Sequence, residues 1–205
     1  MEYIAHRGVV KESIVENTKN AFLEAIINPN FIGFELDVRV SKDGVFVVYH
    51  DSLIDGKLIR SLTYQELKYK GVMRLKDVLR LETDKLIIIE IKSFDMDLSK
   101  LNKMINKSKR NIYVMSFSNK VVKLISGFKR NYKVGTLNYI INSEDDYSYN
   151  DFICLLYFSI TDNIIKYFKE HNIEVLIYGV SNNIIMKDYG LKVIVDYDYV
   201  KKFKN

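Results

Sequence analysis

The sequence is poor in cysteine, proline and long hydrophobic runs, and each shortage excludes a class of protein. A single cysteine, Cys154, excludes an intrachain disulfide and a zinc site built from several thiolates, and it fits a reducing cytosol. One proline and nine glycines in 205 residues argue against long disordered linkers and collagen-like segments. The longest apolar runs, such as residues 86–89 and 152–158, are much shorter than the roughly 20 residues that span a bilayer.

The remaining composition is typical of a globular protein, with 48% hydrophobic and 28% charged residues. The length suits one domain, and we predict that residues 1–205 form it. The N-terminus lacks a basic start followed by an apolar stretch. We therefore expect no secretory signal and predict a cytoplasmic location.

The net charge of +5, from 31 basic and 26 acidic residues, is compatible with several acidic partners. The basic residues are dispersed among acidic ones, so we predict no nucleic-acid binding. Phosphorylated small molecules and anionic lipid head groups stay open. The basic tail Lys201-Lys202-Phe203-Lys204 would permit peripheral lipid contact, but the favoured interpretation is a last helix packed on the barrel, with no stable membrane insertion.

Short apolar runs alternate with amphipathic stretches, which predicts parallel strands joined by crossover helices. Eight such units favour a minimal α/β (β/α)₈ TIM barrel, and the alternative is an open doubly wound sheet. The predicted strands are 3–6, 34–40, 86–91, 112–115, 134–137, 152–157, 175–180 and 193–195, with a further strand at 45–49. Helices are predicted near 18–27, 63–71, 74–81, 98–105, 120–128, 162–171 and 183–189, and residues 142–151 as a loop.

Charged side chains follow or end the predicted strands. Glu35 and Asp37 are two positions apart, so they point to the same side of their strand, and Glu90 ends a very apolar one. Carboxylates buried together repel each other, so a divalent cation is their natural partner. Oxygen-only ligation favours Mg²⁺ or Ca²⁺ over zinc.

Two histidines and two cations complete this set of residues. Arg7 and Lys92 beside a metal would suit an anion with several oxygens, such as a phosphate. His6 and His50, flanking that anion, are candidates for general base and general acid. The residues alone therefore predict metal-assisted phosphoryl chemistry without naming a substrate.

The motifs that carry these residues resemble those of the glycerophosphodiester phosphodiesterase family. They are Ile4-Ala5-His6-Arg7-Gly8, Glu16-Asn17-Thr18, Glu35-Leu36-Asp37-Val38, Lys42-Asp43-Gly44, His50-Asp51, Ile89-Glu90-Ile91-Lys92, Ser116-Phe117 and Val195-Asp196-Tyr197. The match is dense over residues 3–92 and thinner up to 197. The resemblance implies a TIM barrel and a divalent metal ion, Mg²⁺ or Ca²⁺. It also implies hydrolysis of glycerophosphodiesters to glycerol 3-phosphate and an alcohol, within lipid and glycerol metabolism.

The same resemblance implies a role for each candidate residue. Glu35, Asp37 and Glu90 would hold the metal, His6 and His50 would be the acid–base pair, and Arg7 and Lys92 would contact the phosphate. Ser116 and Phe117 would either line the pocket or cap the next helix. Asp51 is expected to orient its loop rather than bind metal, and His171 and Cys154 are expected to have no catalytic role.

Two departures from the family pattern bear on the substrate. The insertion after His50-Asp51, which commonly helps to cover the substrate in the family, is short here, so we expect an open head-group pocket. Tyr178 stands where the family tends to have tryptophan in the seventh strand. Tyrosine would keep an aromatic pocket wall. Two other functions stay open: a lysophospholipase D-like enzyme acting at a membrane surface, which an apolar groove at the barrel mouth would favour, and a non-catalytic barrel that binds phosphorylated ligands.

Overall fold

A computed structural model describes residues 1–142 and 144–204. The strands are β1 Glu2–Ala5, β2 Phe31–Val40, β3 Phe46–Val48, β4 Leu53–Ile54, β5 Lys57–Leu58, β6 Met73–Arg74, β7 Leu86–Ile91, β8 Ile112–Ser116, β9 Lys133–Asn138, β10 Phe152–Leu156, β11 Glu174–Tyr178 and β12 Lys192–Val195. The helices are α1 Lys19–Ile27, α2 Tyr64–Tyr69, α3 Leu75–Val78, α4 Leu98–Asn106, α5 Asn119–Ser126, α6 Asp162–Glu170 and α7 Tyr197–Lys204, with 3₁₀ turns at Ile59–Ser61 and Tyr157–Ser159.

Eight parallel strands, β1, β2 and β7 to β12, form a closed barrel with helices around it. Each strand pairs with the next of the eight along the chain, and β12 pairs with β1 to complete the ring. Ala5 pairs with both Val195 and Phe34, so β1 has no free edge there. The barrel prediction is confirmed, and the open sheet is excluded.

A small antiparallel extension lies beyond the end of β2. Strand β3 pairs with the last residues of β2, where Val38 faces Val48, and β6 pairs with β3. Strands β4 and β5 form a two-stranded hairpin that follows His50 and Asp51. This extension carries His50 toward the end of the barrel at which β2 finishes.

The barrel interior is filled by side chains that point inward from the parallel strands. They form one buried cluster that includes Ile4, Ile88, Cys154, Leu176 and Ile194. Because parallel strands in such folds are covered on both faces, their sequences read as continuous apolar runs, as in β7. Cys154 is a packing residue here, as predicted, and burial raises the pKa of its thiol well above the ordinary value.

Most predicted helix starts coincide with a side chain that caps the helix. Each capping oxygen accepts a hydrogen bond from a backbone N–H of the first turn, which satisfies a group that has no partner within the helix. These caps are Thr18 for α1, Thr63 for α2, Asp97 for α4, Ser118 for α5 and Thr161 for α6, and Thr63 and Glu66 form the predicted capping box.

The helix predicted near residues 183–189 is wrong. The segment is a turn followed by irregular chain, in which the N–H of Ile184 donates to Ser181 O. Met186 is buried but the neighbouring Ile185 is 82% exposed, so the apolar residues form no stripe that a helix could bury.

The helix predicted over 74–81 is shorter in the structure and corresponds to α3, Leu75–Val78. The described part of 142–151 is a loop as predicted, and residue 143 lies outside the described residues.

Candidate active site

The chemistry-bearing side chains meet at the end of the barrel where the parallel strands finish. Asp37 of β2 pairs directly with Glu90 of β7, and Glu35 lies one inward-facing position earlier on β2. His6 and Arg7 directly follow β1. In TIM barrels the active site lies at the carboxyl ends of the strands, and these candidate residues lie at that end.

Glu35, Asp37 and Glu90 form a compact buried acidic cluster. One carboxylate oxygen from each lies within 4.8 Å of the others, and their exposed fractions are only 1%, 1% and 6%. The backbone N–H of Arg7 donates to Glu35 Oε2 at 3.1 Å, while Glu35 Oε1 is buried with no hydrogen-bond partner among the described residues. A buried acceptor without a donor is costly, which indicates that a cation belongs beside it.

The electrostatics of the cluster point the same way. Burial raises the pKa of Glu35 well above the ordinary value, and the charges of Asp37 and Glu90 raise it further. Burial also raises the pKa of Glu90, although Lys92 opposes that shift. A hard divalent cation would relieve this repulsion, and three carboxylate oxygens are suitable ligands for Mg²⁺ or Ca²⁺. The donor set therefore fits a divalent metal ion.

Two cationic side chains border the acidic cluster. Lys92 Nζ lies 2.8 Å from Glu90 Oε1 and 3.4 Å from Asp37 Oδ1, and Arg7 Nε lies 3.3 Å from Asp37 Oδ2. Burial lowers the pKa of Lys92, but the charges of Glu90 and Asp37 outweigh it and leave the pKa raised. Both groups thus stay positive beside the cluster, within the region where an anion would approach.

Each of the two candidate histidines is paired with a carboxylate. His6 Nδ1 lies 2.8 Å from Asp196 Oδ1, and His50 Nδ1 lies 2.8 Å from Asp51 Oδ1. Both imidazoles are partly exposed, at 38% and 31% of the side chain. Asp51 therefore contacts its histidine and is not part of the acidic cluster. His171 is exposed at the end of α6, and its Nδ1 lies 2.8 Å from the carbonyl oxygen of Tyr167.

Besides Asp196, three residues that support the site received no role from the sequence. Asn17 donates from Nδ2 to Asp37 Oδ2 at 2.8 Å and accepts from the Asp37 backbone N–H at 3.2 Å. Glu16 accepts two hydrogen bonds of 2.9 Å from Arg7. Arg39 donates from Nε to the carbonyl oxygen of His50 at 2.8 Å. The signal for the first two was their presence in the Glu16-Asn17-Thr18 motif.

A cavity of about 150 Å³ lies beside the acidic cluster. Its lining includes His6, Glu35, Glu90 and Tyr178. Phe117 borders Tyr178 in an edge-on contact with ring centroids 6.2 Å apart, and it stacks on Tyr139 at 4.8 Å. These aromatic rings form one wall at the barrel mouth.

Ser116 does not belong to that wall. It is fully buried, its hydroxyl donates to Ile91 O at 3.0 Å, and it accepts from the N–H of Ser118 at 3.2 Å. Its contacts therefore join β7 to the start of α5, which corresponds to the helix-start alternative for this residue rather than the pocket-wall alternative.

Comparison with known proteins identifies the fold family. The family model described as "Glycerophosphoryl diester phosphodiesterase family" matches residues 6–201 of the chain. The chain belongs to this family. The match extends from the first candidate histidine to α7, so it includes every candidate site residue and all of the barrel strands except β1, which ends just before it.

Solved structures of the family share the barrel of this chain. A glycerophosphodiester phosphodiesterase from Thermotoga maritima is 24% identical, with a TM-score of 0.75, and the match covers 99% of this chain and 97% of that one. A phosphodiesterase from Oleispira antarctica, solved with the product sn-glycerol-3-phosphate, is 18% identical with a TM-score of 0.82, and the match covers 100% and 95%. These likenesses establish the fold.

Two curated family relatives match a shorter part of the chain. The glycerophosphodiester phosphodiesterase of Bacillus altitudinis is 41% identical over 69 residues, which is 31% of this chain and 27% of that protein. The one from Caldanaerobacter subterraneus is 40% identical over 70 residues, or 32% and 28%. The matched segment thus spans little more than a quarter of the length of these relatives.

The mouth of this barrel has a short connecting segment on one side and exposed apolar side chains on the other. The segment after His50-Asp51 is reduced to the β4–β5 hairpin and a 3₁₀ turn. The loops that follow β7, β9 and β10 expose large apolar side chains, which we call the apolar rim: Phe94, Tyr139, Ile140 and Phe158, exposed by 69%, 61%, 73% and 70%. Among the described residues, no helix has the length and apolar character needed to cross a membrane.

Proposed function

We propose that the protein hydrolyses glycerophosphodiesters to glycerol 3-phosphate and an alcohol, with a divalent metal ion, Mg²⁺ or Ca²⁺. The observation that carries this proposal is the buried cluster of Glu35, Asp37 and Glu90 beside two histidine–carboxylate pairs. Membership of the family supports it, as does the glycerol 3-phosphate product in the Oleispira antarctica relative.

In the first proposed step the glycerol 2-hydroxyl attacks phosphorus. His6 removes the hydroxyl proton while the new P–O bond forms, and the bond to the leaving alcohol breaks. His50 gives a proton to the departing alkoxide oxygen. The products of this step are a neutral alcohol and a five-membered cyclic phosphate of glycerol, with His6 protonated and His50 neutral.

In the second step water opens the cyclic phosphate and the roles of the histidines reverse. His50 takes a proton from water as the oxygen bonds to phosphorus. The P–O2 bond breaks, and His6 returns its proton to the 2-hydroxyl. Both histidines regain their starting protonation states, so the cycle closes without a further acid or base.

The carboxylates and cations provide the electrostatic environment for these steps. Glu35, Asp37 and Glu90 would hold the metal ion, which when bound stabilises charge on the phosphoryl oxygens and lowers the pKa of a coordinated hydroxyl. Lys92 would contact the phosphate directly. Arg7 would contact it through the N–H groups of the guanidinium that do not face Glu16 or Asp37.

A second candidate substrate class is lysophospholipids, and the apolar rim is the observation that favours it. A lysophospholipid presents a polar diester to the site and an acyl chain to its surroundings. Phe94, Ile140 and Phe158 would offer that chain apolar contact at the barrel mouth, which a small polar diester does not need. A non-catalytic phosphate-binding barrel gains no support from a mouth that pairs both histidines with carboxylates.

The test is hydrolysis of a substrate panel with added Mg²⁺, Ca²⁺ or a chelator. The panel compares glycerophosphocholine and glycerophosphoethanolamine with lysophosphatidylcholine, and Phe158→Ser is the rim variant. If soluble diesters are the substrates, the rim variant leaves their kcat/KM unchanged. If lysolipids are preferred, the rim variant lowers only the lysolipid rate. Absence of turnover of every phosphodiester would contradict the proposed function.

Loss of His50 should remove general acid catalysis. We expect His50→Ala to lower kcat by about 10²- to 10⁴-fold, the usual contribution of a positioned acid or base. His171→Ala is the matched control, because His171 is the third histidine of the chain and is exposed at the end of α6. Equal activity of the two variants would contradict the role proposed for His50.

A further inference from the structure

The two histidine–carboxylate pairs at the barrel mouth share one geometry. In each pair the carboxylate oxygen lies 2.8 Å from Nδ1, so Nδ1 is the nitrogen that is occupied and Nε2 is the one left for a substrate. The two pairs are built differently in the chain, since Asp51 is the next residue after His50 whereas Asp196 is 190 positions from His6.

Asp196 is held at the seam where the barrel closes. The backbone N–H of His6 donates to Val195 O at 2.9 Å, which continues the pairing of β1 with β12. On the other side of Asp196, its own carbonyl accepts from the N–H of Tyr199 at the start of α7. Backbone contacts therefore fix both His6 and Asp196 before their side chains meet.

The contact between His6 Nδ1 and the Asp196 carboxylate determines which tautomer the neutral imidazole adopts. An ionised carboxylate can only accept a hydrogen bond, so the nitrogen facing it must carry the proton in a neutral ring. The hydrogen bond from His6 holds the pKa of Asp196 below its ordinary value, which keeps this carboxylate ionised. Asp196 is also not one of the carboxylates in the acidic cluster.

We propose that Asp196 is a positioning residue that holds His6 as the Nδ1–H tautomer, so that Nε2 is the atom that accepts the proton of the substrate hydroxyl. This inference rests on the proposed function for its catalytic part, but the tautomer itself does not depend on the reaction. Asp51 holds His50 in the same way. Each transferred proton therefore passes through Nε2, while the Nδ1 proton stays in its hydrogen bond to the carboxylate.

Asp196 would also stabilise the charge that His6 acquires. When Nε2 takes the hydroxyl proton, the ring becomes an imidazolium whose Nδ1–H already faces a carboxylate, and this contact is stronger than the one made by the neutral ring. Replacement by asparagine keeps the shape but removes the charge. The amide can also donate to Nδ1, which would favour the wrong tautomer.

The direct test is nitrogen NMR of the protein with ¹⁵N-labelled histidine. With three histidines in the chain, single substitutions assign each ring. At a pH of about 9, above the usual imidazole value of about 6.5, we expect His6 and His50 to show protonated Nδ1 and unprotonated Nε2. His171 is an internal reference, because its Nδ1 faces a carbonyl oxygen, which only accepts. A protonated Nε2 in His6 would overturn the proposal.

The kinetic test compares Asp196→Asn with Asp198→Asn, which changes an exposed aspartate two residues later, in α7. Asp196→Asn should lower kcat by about 10²- to 10⁴-fold with little change in KM, and it should change the His6 nitrogen spectrum. Asp198→Asn should change neither. Equal kcat values for the two variants, with an unchanged His6 spectrum, would overturn the positioning role. A wild-type protein without phosphodiesterase activity would contradict the proposed function instead, and the spectrum would still report the tautomer.

Discussion

Glu35, at the barrel mouth, keeps a buried carboxylate oxygen without a hydrogen-bond partner in the described part of the chain. One of its carboxylate oxygens accepts from the Arg7 backbone, and the other has no donor among the described residues. The side chain is buried beside Asp37 and Glu90, so its negative charge has little hydration and two like-charged neighbours. A carboxylate in this position stabilises the fold only when a cation is bound or when it carries a proton.

The pH dependence of stability should show this. The pKa of Glu35 is raised in the folded protein, so the folded state keeps a proton that the unfolded chain releases near pH 4.3. Without metal, the free energy of unfolding should therefore fall as the pH rises from about 4.3 through the raised folded-state pKa. Glu35→Gln cannot ionise and should lose this part of the decline, as measured by urea unfolding in a chelator between about pH 4.5 and 8. Glu82→Gln, at an exposed glutamate, should behave as wild type.

Metal addition extends the same experiment. A metal ion at about 100 times its Kd should add about 2.7 kcal/mol to wild-type stability, which corresponds to roughly 5–10 °C in Tm for a chain of this size. Glu35→Gln should gain much less. An equal metal-induced rise in Tm for wild type, Glu35→Gln and Glu82→Gln would contradict the assignment of Glu35 as a ligand.

Site residues could be predicted from the sequence where their relative positions follow from strand geometry alone. The spacing of Glu35 and Asp37 follows from the two-residue period of a strand, and the cluster with Glu90 follows from parallel strands ending together. The partners Asn17 and Asp196 received no role, because a side-chain hydrogen bond across 20 or 190 positions leaves no periodic pattern in the sequence.

The segment that joins β1 to α1 forms the floor of the site through unusual backbone conformations. Arg7, Gly8 and Asn17 have φ values of +54°, +83° and +56°. The turn lets the Arg7 backbone reach Glu35 and the Asn17 side chain reach Asp37. Strained residues gathered at one site are typical of functional regions, where the surrounding structure holds them in place.

Gly8 is the position in this segment that tolerates no side chain. A Cβ there would lie 2.7 Å from the Ala21 carbonyl carbon, and the positive φ adds a cost of about 1–2 kcal/mol for a non-glycine residue. Gly8→Ala should therefore lower the free energy of unfolding by more than that conformational cost, as measured by urea denaturation.

Gly127→Ala is the control for Gly8→Ala. Gly127 has a φ of −75°, and an added Cβ would make an ordinary contact at 3.6 Å. We expect it to be neutral or to stabilise the protein by about 0.4–1 kcal/mol. Similar stability of the two alanine variants would show that α1 does not pack on Gly8 as described.

At the level of elements, the sequence predicted every barrel strand and most helices, because apolar runs and capping residues are local signals. It failed at residues 183–189, where apolar residues at helical spacing do not share a buried face. Tertiary packing decided that segment, since Met186 is its one buried residue and Tyr189 is only partly buried against the core.

The carboxylates at the two ends of the barrel differ in how fully their oxygens are hydrogen-bonded and paired with cations. At the end where the strands begin, Glu174 accepts from the Tyr113 hydroxyl at 2.8 Å and pairs with Lys133 and Lys192 at 2.8 and 2.5 Å. Those contacts satisfy its oxygens and lower its pKa despite partial burial. At the mouth, Glu35 keeps an oxygen without a donor. The contrast indicates that one end stabilises the barrel and the other is prepared for a ligand.

The barrel architecture could be predicted from the number of strands, but the contacts between site residues depend on how the closed barrel pairs its strands. Only closure of β12 on β1 brings Asp196 to His6, and only pairing of β2 with β7 brings Asp37 to Glu90. The segment after His50 adds only the β4–β5 hairpin and a 3₁₀ turn to that side of the mouth.

The central claim is that this mouth is a metal-dependent phosphodiesterase site, and metal removal tests it most directly. Protein stripped with a chelator is incubated with glycerophosphocholine, and glycerol 3-phosphate is followed by ³¹P NMR before and after Mg²⁺ or Ca²⁺ is restored. We predict that product formation falls to the level of His50→Ala in the chelator and recovers with metal in wild type, but not in Glu35→Gln. Full turnover in the chelator would contradict the account.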